Sequence, residues 1–110
     1  MRIARWDAAA WLFSTEKMKK VGLFSSERFF LDLYCLEPGQ AQTPHAHAGC
    51  DKVYLVTQGR VLVRVGDEER TLAAGEAVLA ASGDMHGLQN DSTERAVVLT
   101  LMAPPPGKNA

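Results

Sequence analysis

Dense basic clusters, long apolar runs and cysteines in number are all missing from this chain. Its 110 residues carry 12 Lys and Arg against 13 Asp and Glu, a formal net charge of −1, and the cations are scattered. Phosphate backbones are held by concentrated positive charge, so no nucleic-acid partner is expected. No stretch approaches the ~20 apolar residues of a membrane-crossing helix, so no membrane partner is expected either. The opening MRIARWDAAAWLF interrupts its apolar residues with Arg and Asp, unlike a signal peptide, and a cytoplasmic location is the reading. There are two cysteines, Cys35 and Cys50, and without a secretory context free thiols are expected.

The rest of the composition is that of a globular domain. Hydrophobic residues make up 46% and charged residues 23%, which excludes a disordered chain. A chain of this length buries roughly 60–70% of its unfolded surface around one core. One domain over residues 1–110 is expected, with an N-terminal extension and strand over 1–27, a barrel over 28–103 and a tail over 104–110.

From Arg28 onward short β-prone runs alternate with turn residues, and no helical period is sustained. Arg28 to Glu37 ends at Pro38-Gly39, and Val53 to Thr57 ends near Gly59. In Val61 to Val65, Val61, Val63 and Val65 share one face while Leu62 and Arg64 share the other. Gly66-Asp67 signals a tight hairpin into Glu68 to Leu72. Ala77 to Ala80, His86 to Gln89 and Arg95 to Met102 follow as strands, the last stopped before Pro104-Pro105-Pro106, which cannot continue a ladder. This is an all-β rhythm of antiparallel strands that suits a closed barrel or sandwich. Ahead of it, Asp7 is placed to cap a short helix through Ala8 to Trp11. Lys17 to Phe24 reads as a strand, of a kind that often pairs with a second copy of the chain.

The chain has three histidines. His45 and His47 flank Ala46, so on a strand both imidazoles point to one face, where two rings can share a metal ion. His86 follows a Gly-bearing turn at the start of another strand. Around these positions the chain resembles the two motifs of the cupin superfamily. The first, G-x5-H-x-H followed by an acidic residue and a Gly, is matched by Gly39, His45, His47 and Gly59. The second, G-x5-P-x-G-x2-H-x3-N, is matched by Gly75, Gly83, His86 and Asn90, with Ala81 in place of the proline. The resemblance implies a double-stranded β-helix, the cupin or jelly-roll barrel. It further implies inward histidines around a divalent transition metal (Zn, Fe, Ni, Mn or Cu) and frequent homodimers.

The pattern departs where similar proteins place a carboxylate ligand. With three residues between His47 and the acidic position, that position is Asp51, but the motif's six-residue gap to its Gly is then exceeded by one at Gly59. With four, the position is Lys52, and six residues separate it from Gly59 as the motif requires. A lysine ammonium has no lone pair to offer a metal. Either a bulge turns Asp51 inward, or three imidazoles hold the metal and the other positions stay open. Strand register set by Gly59 favours the second. Lys52 is then a snorkelling surface residue or an inward cation that attracts an anionic ligand, the surface reading being preferred. Cys50 is read as a small buried residue, Asn90 as structural in its own turn. Tyr54, Arg64 and Met85 either line the barrel or pack against its walls.

Two functions are compatible with such a site. One is a metal-dependent enzyme of the dioxygenase, isomerase or decarboxylase type acting on a small organic molecule, although no residue stands out as its general acid or base. The other is a small-ligand binding or sensory module with a structural metal or none.

Overall fold

A computed structural model describes residues 1–6 and 12–106. The helix expected after Asp7 lies outside the described residues. Nine strands are described: β1 Lys19–Ser25, β2 Phe30–Leu36, β3 Ala41–His45, β4 Asp51–Gln58, β5 Arg60–Val65, β6 Glu68–Ala73, β7 Ala77–Ala80, β8 His86–Gln89 and β9 Ala96–Ala103. They form a five-stranded sheet in the order β1-β2-β9-β4-β7 and a four-stranded sheet in the order β3-β8-β5-β6, with every pairing antiparallel. The result is the all-β double-stranded β-helix. Among the described residues no helix is long and apolar enough to cross a membrane.

The period-2 pattern decides which side chains meet between the sheets. Val61 and Val63 from β5 and Leu88 from β8 point inward against Tyr34, Tyr54, Val56 and Val98 from the larger sheet. A second cluster, on the outer face of that sheet, joins Leu33, Cys35 and Val97 to Leu12 of the N-terminal segment. Sequestering each such side chain stabilises the fold by roughly 1.5–3 kcal/mol. Both cysteines are free and buried.

β1 answers one expectation in an unexpected way. It pairs with β2 of its own chain, Lys19 opposite Cys35 and Ser25 opposite Phe30, and forms the edge of the larger sheet.

One glycine is required at the turn between β4 and β5. Gly59 has φ of +72°, and a Cβ there would lie 2.5 Å from the Arg95 carbonyl oxygen. Only glycine fits so close to a neighbouring backbone in that conformation. Asn90 acts as a buried staple. Its amide donates to the carbonyls of Leu36 and Glu94 at 3.1 and 2.7 Å, and its Oδ1 accepts from the Ser92 amide and hydroxyl at 3.1 and 2.7 Å. It does so without left-handed geometry, since among the described residues positive φ occurs only at glycine.

Candidate metal centre

His86 opens β8, and the strand parity that sends Leu88 into the core sends His86 there too, leaving it 3% exposed. His45 ends β3 directly opposite it in the ladder, His45 to His86. His47 is not on the strand. β3 stops at His45, so strand alternation is not what unites the pair; the loop after the strand carries His47 back over the site. Pro44, inside β3, has no N–H to give the ladder, which is tolerated only at an edge or a bulge. β3 is an edge strand, and its register shifts between Gln42 and His45.

The three rings converge. Their centroids are 4.8 Å apart for His45–His47, 4.5 Å for His45–His86 and 5.9 Å for His47–His86. One ring nitrogen from each lies within 4.8 Å of the others, a cluster that could hold one ion. Two rings have a fixed tautomer. Nδ1 of His45 lies 3.0 Å from the Thr43 carbonyl oxygen, and Nδ1 of His86 lies 3.0 Å from that of Asp84. A carbonyl only accepts, so Nδ1 holds the proton and Nε2 keeps its lone pair, as a metal ligand requires.

Nε2 of His86 is buried and has no hydrogen-bond partner. Buried polar atoms are rarely left that way, and an ion within the cluster would satisfy this one. Burial, against the Asp84 hydrogen bond, pushes the His86 pKa down to about 4, with the positive charges of Lys52, His45 and His47 adding to the effect. His47 is lowered by burial first, then by His45, Lys52 and Lys20. Both rings are therefore neutral and able to ligate near neutral pH. The donor set fits a divalent transition metal.

Asp51 is not turned into this site. It is exposed, and its Oδ1 accepts the Ser82 backbone N–H at 3.0 Å. Gly49 donates to Ser82 Oγ at 2.6 Å, and Gly83 donates to the His47 carbonyl at 3.1 Å. These bonds tie the His47 loop to the turn before His86. Asp51 thus positions the loops instead of ligating, a role its spacing to His47 does not reveal.

Lys52 corrects the surface reading. It is 2% exposed, with Nζ 5.3 Å from the Tyr34 ring centre and 5.2 Å from that of Tyr54. Lys52 shares the inward face of β4 with Tyr54 and Val56, and that strand parity outweighs the preference of lysine for water. Burial first, then Lys20, lowers its pKa to about 8, opposed by Asp32. Tyr54 neighbours both Lys52 and His86, its ring centre 6.1 Å from that of His86. Its hydroxyl donates to Gln42 Oε1 at 2.7 Å, and burial raises its pKa, as burial raises that of Tyr34 to about 12. Both phenols stay protonated. Of the other two residues in doubt, Arg64 is exposed and reaches Glu69 at 3.8 Å, and Met85 is 46% exposed, so neither lines the interior. Cys50 is buried, with Sγ 3.9 Å from the Ala48 carbonyl, away from any ligand role.

A barrel of two antiparallel sheets with histidines gathered inside it defines a class, and the comparisons name the family. The chain belongs to the cupin family: the Cupin domain model matches residues 32–102. It is 46% identical to TT1209 from Thermus thermophilus, whose crystal structure it matches with a TM-score of 0.89 over 96% of this chain and 100% of that one. It is 33% identical over 75 residues to the tetracenomycin polyketide synthase protein TcmJ of Streptomyces glaucescens. That match takes in 68% of this chain and spans half, 50%, of the relative. The structure of KdgF from Halomonas sp. shares the fold at 23% identity, with a TM-score of 0.77 over 86% of each chain.

Proposed function

We propose that this chain is a single-domain, metal-dependent cupin enzyme that acts on a small organic molecule at a three-histidine centre. His45, His47 and His86 hold one divalent transition ion (Zn, Fe, Ni, Mn or Cu). The observation that carries this reading is the buried, unpartnered Nε2 of His86 beside the other two rings. When bound, such an ion would polarise a substrate oxygen or activate water or dioxygen. The chain's own groups fix the tautomers of His45 and His86, and the buried Tyr54 ring lies 6.1 Å from that of His86. His45 and His47 leave the outer side accessible. The name of the Streptomyces relative associates that protein with polyketide synthesis, which supports a small organic substrate here.

The oligomer in this reading is a homodimer. Leu101, Val53 and Leu79 lie side by side across β9, β4 and β7, and Leu99, Leu55 and Ala77 form the next row. Leu79 is 58% exposed, and Leu55 and Leu101 are 37% exposed each, an apolar outer face that a second copy covers. A cytoplasmic setting accords with the two free thiols.

The test is metal content. Untagged protein purified without chelator should hold about one equivalent of transition metal per chain, and a folded His86→Ala variant only traces. Equal trace metal in both proteins would remove the basis for the reading.

A further inference from the structure

We propose that Lys52 makes the barrel interior an anion site, so that the molecule acted on at the three-histidine centre carries a carboxylate or similar anionic group received by the Lys52 ammonium. This rests on the metal reading above and names the class of substrate.

The first support is charge. Among the described residues no Asp or Glu joins the histidine cluster, and Asp51 is committed to the Ser82 amide. Lys52 makes no ion pair with a carboxylate among the described residues. Its ammonium rests on the faces of Tyr34 and Tyr54, and a second ammonium, Lys20, lies 5.3 Å from the Tyr34 ring centre. Among the described residues Asp32 is the one carboxylate that influences it. A dication held by the three imidazoles would thus share the interior with a buried cation and no ligating anion. Buried charge is costly until it is matched, and an anionic guest matches it.

The second support is a missing hydrogen bond. Among the described residues two buried side-chain atoms lack a partner, His86 Nε2 and Thr100 Oγ1. In the ladder Thr100 stands directly between Asp32 and Tyr54, one inward position along from the Lys52–Met102 pair. The Thr100 hydroxyl is thus an unused donor one inward position from Lys52 on the neighbouring strand. The unpartnered atoms and the unpaired cation line the same interior.

The test uses the full chain loaded with one equivalent of Co2+, read by its visible absorption and by calorimetry. Malonate is the probe, and malonamide its neutral counterpart. In Lys52→Met the malonate affinity should fall by about 10- to 100-fold while malonamide is unaffected. In Lys52→Glu, Co2+ should bind more tightly and malonate no longer perturb its spectrum. Metal-free wild-type protein, which needs no variant to fold, should still prefer malonate to malonamide. Malonate affinity independent of residue 52, or no preference in the metal-free protein, overturns the assignment. Failure of the metal reading is seen separately, as absent Co2+ absorption before any malonate is added.

Discussion

Nδ1 of His86 lies 3.0 Å from the carbonyl oxygen of Asp84, two residues earlier in the chain. That single bond presents Nε2 to the interior, and burial holds the ring neutral, with its pKa at about 4. An unfolded histidine titrates near 6.5. Between those values the unfolded chain binds more protons than the folded one, so stability is complete above about pH 6.5 and is lost as pH falls toward about 4. Urea titrations of metal-free protein should show a loss on the order of 3 kcal/mol from this residue across the window. His86→Gln should flatten that part of the profile, and an unchanged slope would contradict the assigned environment.

Lys52 gives a slope in another region. Its folded pKa of about 8 is below the ordinary 10.5, so between those values the unfolded chain again holds the extra proton and stability rises with pH. At about pH 7 the full penalty of a buried ammonium is present. Lys52→Met should therefore stabilise metal-free protein by about 1–3 kcal/mol at about pH 7, with the advantage shrinking by about pH 10. Denaturant midpoints of the two proteins at both pH values check it.

The strands around the site were legible because their cues are local. β7 and β8 begin and end where the apolar runs and turn residues place them, at Ala77–Ala80 and His86–Gln89. The convergence of His86 with His45 and His47 was legible through motif spacing. The loop position of His47 was not, since it depends on where β3 ceases to pair with β8, which tertiary context sets. Lys52 misled for a different reason. Its charge argues for water, and the opposing cue is that β4 turns Lys52 to the same inward face as Tyr54 and Val56, which the packed barrel decides. Asp51 misled through chemistry, being a good oxygen donor that is already engaged by the Ser82 amide.

The Tyr54 hydroxyl donates to Gln42 Oε1 at 2.7 Å in the buried interior. Tyr54→Phe keeps the packing but leaves that oxygen without its donor. The loss should be about 1–3 kcal/mol of stability, with metal stoichiometry unchanged. A variant that also loses metal would show that Tyr54 holds the His86 ring and does more than satisfy Gln42.

The outer face of the larger sheet makes a prediction independent of the metal. Leu79 projects from the edge strand β7 beside Val53, and Leu101 lies on the far side of Val53. If a second copy covers this row, Leu79→Lys places a charge in an apolar contact and should shift the protein from dimer to monomer in sedimentation at micromolar concentration. Stability of the single chain should change little, because Leu79 is 58% exposed and gives up little burial of its own. A wild-type protein that already sediments as a monomer excludes the interface, and a Leu79→Lys protein that stays dimeric moves it to another face.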